Sequence, residues 1–337
     1  MFKYYGPLLV LGLACFIRMY LVCYRGNTLC ARSQNIGVED SEITSSIKRR
    51  IVDVSRKYLP SPHSELLLGM TIGLDELNKV PKFDSALKDT GTIHVVVVSG
   101  FNISLLFGLV IRVIGSRYKL RNLILAEFIT LIYSVFSGFN PPVIRAWIMG
   151  SVAAWGKYYG RSVDALRILI FSGLVMVLIN PVFAFSASFQ LSFMATLGLV
   201  CFSEYFKKLF VFDDLCTSLS AQVLVWPIIS FYFGRLNILS PLVNFLILWT
   251  VPLSTVFGGV FLAISSVNGL LGGLLVIPLY LLLDIFVKVI SFFSRFPIVT
   301  IDVKISMLFL CLYYLLVLVG YFLLKTKYES SKSFDRH

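Results

Sequence analysis

The chain has 337 residues, of which 57% are hydrophobic and 14% charged. Soluble domains carry closer to a quarter charged residues, so an ordinary soluble fold is excluded and lipid must be the solvent for much of the surface. Thirty Lys and Arg against 18 Asp and Glu give a net charge of +12, which basic topogenic loops, attraction to anionic lipid or a polyanionic passenger such as nucleic acid would each explain.

Residues 1–24 hold Lys3 and then an apolar run interrupted by Arg18, with no clean small-x-small cleavage site. They read as a retained N-terminal transmembrane anchor. Residues 25–92 are soluble in character and are expected to form a short extracytoplasmic segment. Within them Ile43, Ile47, Ile51, Val54 and Tyr58 recur at helical spacing among charges. That pattern predicts an amphipathic helix, either lying on the membrane or packed on the extracytoplasmic face of the bundle.

Further apolar runs lie near 93–115, 122–137, 141–156, 166–184, 189–203, 215–233, 240–265, 270–294 and 303–325. With the anchor they make about ten predicted transmembrane helices in an all-α, polytopic fold. Several are shorter than the roughly 20 residues of a full span, as expected of broken or re-entrant helices inside a protein-lined cavity. Residues 93–325 form the expected transmembrane domain and 326–337 a cytoplasmic tail. Basic groups at Arg117, Lys119 and Arg121, at Lys157, Arg161 and Arg167, at Lys207 and Lys208, and in the tail then all face the cytoplasm.

Six cysteines without a C-x-x-C pair, and three histidines in all, indicate neither a disulfide framework nor a metal site. No cofactor is expected. The stretch 90–103 sets His94 before four valines and then Ser99, Gly100 and Asn102 in an apolar run. β-branched residues followed by Gly weaken a helix, which suits either a break on a polar path or an interfacial His with a Gly used for close packing. Asn140-Pro141-Pro142 starts a helix, placing Arg145 about one turn into the membrane, where a guanidinium needs an anion, a wet cavity or the headgroups. Ser188, Gln190 and Ser192 bring polar groups into an apolar stretch, for helix–helix bonds or a pore wall. Pro227 and Pro252 predict breaks or kinks within spans. Asp284 and Lys288, four apart with the acid first, read as a structural ion pair.

Taken in order, these segments resemble the competence domain of ComEC-family DNA-uptake proteins. The resemblance rests on Leu59-Pro60, Leu67-Leu68-Gly69 with Gly73, Gly91, and His94 with Val98-Ser99-Gly100. It continues through Arg145-Ala146, Phe189-Gln190-Leu191-Ser192-Phe193, Gln222, Pro227, Asn244 and Pro252, and covers about 45–325. The stretch before residue 45 is too short for the OB-like domain common in that family. The chain is also expected to lack the β-lactamase-like domain, since it has no H-x-H-x-D-H motif. Ser188 stands where the family often has Gly, and Asn102 where it often has His.

The resemblance implies a multi-pass channel of the cytoplasmic membrane that conducts single-stranded DNA inward, with no catalytic residue. His94, Ser99, Gly100, Asn102, Arg145, Gln190 and Ser192 are the residues expected to line or shape its path. Expected partners are single-stranded DNA, membrane lipid, a DNA receptor, a separate nuclease and a cytoplasmic helicase or ATPase, with a homo-oligomer left open. The alternative is a transporter of a small anionic or lipid-linked solute, in which Arg145 binds one substrate. An intramembrane hydrolase built on Ser99 and His94 is disfavoured, because five residues put them on different faces of a regular helix and no G-x-S-x-G elbow is present.

Overall fold

A computed structural model describes residues 42–74, 76–96, 100–114, 119–209, 211–296 and 300–334. The anchor expected at 1–24 lies outside them. The fold is all-α. Its helices are α1 (Glu42–Tyr58), α2 (His63–Ile72), α3 (Pro81–Asp89), α4 (Ile93–Val96), α5 (Gly100–Ile114), α6 (Leu120–Phe136), α7 (Pro141–Tyr158), α8 (Ala165–Ile179), α9 (Ala187–Leu209), α10 (Asp213–Phe233), α11 (Ser240–Ile247), α12 (Thr250–Val267), α13 (Gly269–Phe293) and α14 (Met307–Phe334). Two short strands, β1 (Arg235–Asn237) and β2 (Thr300–Asp302), pair antiparallel with Leu236 opposite Ile301.

Local chemistry sets several boundaries. Asn140 and two prolines open α7, since Pro fits the first turn, where an N–H has no helical partner. Asp164 and Asn180 accept the backbone N–H groups of Leu166 and Val182. Gly73 and Gly234 end α2 and α10 in the left-handed region, where a side chain would be strained.

The prolines behave unequally. Pro252 has no N–H for the Leu248 carbonyl, which accepts instead from Val251 N at 3.3 Å, and α11 and α12 meet at a 46° bend. Of the break or kink expected at Pro227, the break does not occur, for α10 is continuous from Asp213 to Phe233. The carbonyl that Pro227 would orphan belongs to Val223, and the Tyr313 hydroxyl on α14 donates to it at 2.8 Å. The neighbouring helix therefore satisfies the group that would otherwise open the turn. Pro278 likewise lies within the continuous α13.

Among the described residues, three helices have the length and hydropathy of a membrane crossing: α9, α10 and 271–293 of α13. A fourth is gained if α11 and α12 form one bent span. The chain is thus a multi-pass membrane protein; the expected ten spans are not matched among the described residues, where α5, α6 and α8 are only 15–17 residues long.

The largest core cluster lies where the sequence is least membrane-like. All ten residues of α2 are buried, packed with Val243, Ile247, Phe261, Leu283 and Phe286. Its Leu67 and Thr71 side chains stand so close to Gly258 on α12 that a Cβ there would meet Leu67 Cδ1 at 2.3 Å. The helix α1 forms as expected, and of its two readings the packed one is realised: Ile51, Val52, Val54 and Tyr58 join the core cluster. Arg50 and Tyr58 each donate at 3.0 Å to carbonyls at the α12–α13 tip, those of Ser266 and Gly269.

Candidate functional site

Three of the sequence-selected residues meet at one place. Gly100 opens α5, Arg145 sits in the second turn of α7, and Ser192 lies in the second turn of α9. A Cβ added at Gly100 would stand 2.9 Å from Ala146 Cβ and 3.1 Å from both Arg145 Nη2 and the Pro142 carbonyl oxygen. Only glycine lets α5 and α7 approach this closely around the guanidinium. Arg145 Nη1 donates to the Ser192 carbonyl at 2.9 Å, and its guanidinium lies 5.9 Å from the centre of the Phe193 ring. Its Nε is buried and has no protein hydrogen-bond partner. Among the described residues no carboxylate pairs with it. A backbone carbonyl holds the group in place without cancelling its charge.

Gln190, two residues nearer the start of α9, spans two elements at the same end of the bundle. Its Nε2 donates to the Ala184 carbonyl at 3.0 Å and its Oε1 accepts from Tyr232 at 3.1 Å. Phe189 and Phe193 stack at 4.2 Å beside it. Gly100, Arg145, Gln190, Ser192 and this aromatic pair form one site at the meeting of α5, α7, α9 and the end of α10.

Asn102 is directed elsewhere. It is 2% exposed and donates to the Met70 carbonyl of α2 at 2.8 Å, while Tyr133 of α6 donates to the adjacent Thr71 carbonyl at 2.7 Å. These bonds hold α2 against α5 and α6, so Asn102 serves α2 and not the Arg145 site. Ser99 lies outside the described residues, as do Val97 and Val98 and so the predicted break, which falls between α4 and α5. His94 is placed on α4 by its backbone alone.

Asp284 and Lys288 pair at 2.6 Å. A third member has no signal in one dimension: His63 Nε2 lies 3.4 Å from the other carboxylate oxygen of Asp284, with its ring stacked on Tyr280 at 4.7 Å. Asp284 therefore bridges the start of α2 to α13. Two further polar contacts also join separate elements. Ser151 of α7 donates to Glu127 of α6 at 2.6 Å, and Gln222 of α10 donates to Ser240 at the start of α11 at 2.9 Å. A small residue facing a polar one across a helix pair was a readable signal for neither, because partner helices are unknown in one dimension.

With this geometry in hand, the family is decided by its model: the one described as Competence protein matches residues 71–327. The chain belongs to that competence family. It is 28% identical over 207 residues to ComE operon protein 3 of Bacillus subtilis, a match covering 60% of this chain and 26% of that protein. It is 32% identical over 164 residues to an uncharacterized protein of Aquifex aeolicus, covering 48% and 39% of the two. A third relative, uncharacterized protein YcaI of Escherichia coli, is 29% identical over 159 residues, covering 44% and 21%. The chain thus spans well under half the length of these relatives. No solved structure matches it. Membership ties the protein to competence, and the matched range contains every residue of the Arg145 site.

Proposed function

We propose that this chain forms a conduit of the cytoplasmic membrane for inward passage of single-stranded DNA during natural transformation. The observation that carries the reading is Arg145. Its guanidinium is set in a helix bundle, held by a carbonyl instead of a carboxylate, and faces the Phe193 ring. An unneutralised cation in low dielectric attracts a phosphate strongly. An adjacent aromatic face stacks on any base, so contact is independent of sequence. Conduction needs such weak, repeated contacts and no single tight site. His94, Ser99, Gln190 and Ser192 belong to the same path, and no catalytic residue is assigned. A DNA receptor, a separate nuclease and a cytoplasmic helicase or ATPase complete the proposed system.

The proposal extends to topology. The loops joining α6 to α7, α8 to α9 and α10 to β1 gather at one end of the bundle around Arg145 and Gln190, and are assigned to the outside. Lys88 O accepts from Asn237 at 3.0 Å, and Arg235 pairs with Asp89 and Asp302 at 3.8 and 3.6 Å, which joins residues 88–89 to that end. The tip at 266–269 lies a full helix length away along α13, about 37 Å, and α1 is hydrogen-bonded to it. Residues 25–92 therefore do not form a single extracytoplasmic stretch in this proposal. Instead α1 lies on the cytoplasmic face, and the chain passes through the protein interior by way of the buried α2 to reach the outside near residue 88.

The test is complementation of a naturally competent host lacking its own uptake channel, scored by internalised, nuclease-protected labelled DNA. Restoration by the native chain and loss with Arg145→Ala is the expected result. Full uptake through Arg145→Ala would remove the DNA path from this site.

A further inference from the structure

Below the Arg145 site, α5 and α7 continue side by side and in register, and a cleft of about 200 Å³ opens between them. Its walls are Phe107 and Gly108 on one side and Trp147, Gly150 and Ala154 on the other, and Lys157 closes its far end. The lining is mostly apolar. Gly108 and Gly150 leave real space, for a Cβ added at either would meet nothing within 4 Å. In a helix pair Gly normally serves close contact, as Gly100 does a few turns earlier, so two glycines facing open space mark a groove left unfilled by protein.

Charge identifies the occupant. Lys157 is exposed at that end of the cleft, and Arg112 stands one turn past Gly108 on the same stripe of α5, also exposed. Neither is ion-paired to a described residue. We propose that this cleft is a binding site for an anionic phospholipid of the cytoplasmic leaflet. One acyl chain lies between Gly108 and Gly150, and the headgroup phosphate sits between Arg112 and Lys157. Basic pockets between transmembrane helices on the cytoplasmic side recognise acidic headgroups in this way, while the apolar floor suits a hydrocarbon chain and not a polyanionic strand. The inference rests on the membrane setting of α5 and α7 and on the topology proposed above, and is independent of the DNA path.

The experiment is native mass spectrometry of the full chain in detergent, titrated with dioleoyl phosphatidylglycerol or dioleoyl phosphatidylcholine. The expected result is one phosphatidylglycerol retained about thirtyfold more strongly than phosphatidylcholine, as two basic contacts would give. Gly150→Leu and, separately, Gly108→Leu fill the cleft without steric conflict and should abolish that binding at an unchanged melting temperature. The double variant Arg112→Gln, Lys157→Gln should equalise the two lipids. Equal binding of both lipids by the native chain would overturn the site, as would undiminished phosphatidylglycerol binding by both leucine variants. Displacement of the lipid by a single-stranded oligonucleotide would reassign the cleft to nucleic acid.

Discussion

Arg145 and its neighbours make distinct predictions because each contributes a different atom. The bond to α9 uses the Ser192 carbonyl, so Ser192→Ala should leave it intact and change uptake little. Arg145→Ala removes the charge, and a charge-assisted contact is worth about 1.5–3 kcal/mol. Uptake of protected DNA should fall about ten- to a hundredfold, with the protein still reaching the membrane at near-normal level by immunoblot. Arg145→Lys keeps the charge but loses the planar fork, so its uptake should lie between the two. Gly100→Leu acts by bulk: its first side-chain carbon already stands 2.9 Å from Ala146 and 3.1 Å from the guanidinium. Uptake should be lost while insertion persists. Normal uptake through Gly100→Leu would show that this contact does not border the path.

At the scale of helices, packing decides more than propensity. Gly198 of α9 faces α10 so closely that a Cβ would lie 2.3 Å from the Ser220 carbonyl oxygen. Backbone atoms cannot swing aside, so Gly198→Ala should force the pair apart and destabilise the purified protein by about 1–3 kcal/mol. The contrasting case is Gly259 of α12, where nothing lies within 4 Å. There Gly259→Ala should be neutral or raise stability by up to about 1 kcal/mol through helix propensity. Thermal melts in detergent compare the two directly, and equal shifts would refute the packing argument. Both glycines look alike in an apolar helical sequence, and only the facing helix distinguishes them.

For the molecule as a whole, the proposed path of residues 42–92 from the cytoplasmic face to the outside has a direct experimental check. Lys57 and Lys82 are both exposed. With the six native cysteines replaced, Lys82→Cys should react with a membrane-impermeant maleimide from outside intact cells. Lys57→Cys should react only after permeabilisation. Labelling of both from outside would return the whole segment to the extracytoplasmic face and sink the proposed passage through the interior.

The membrane setting and the all-α class were legible from composition and apolar run length, because both depend on how many residues can face lipid. Arg145, Gln190 and Gly100 were legible as candidates for a related reason: a charge, an amide and a helix-weakening glycine are conspicuous in hydrocarbon wherever their partners turn out to lie. Only the tertiary structure decided which of them meet. Asn102, two residues from Gly100, points to α2 because successive helical residues are about 100° apart. It was likewise tertiary contact that buried α2, a segment polar enough in its flanks to read as soluble. His63 and Glu65 are held inside by Asp284, far off in sequence, and by Arg56 of the preceding helix, contacts that form only once the helices are packed.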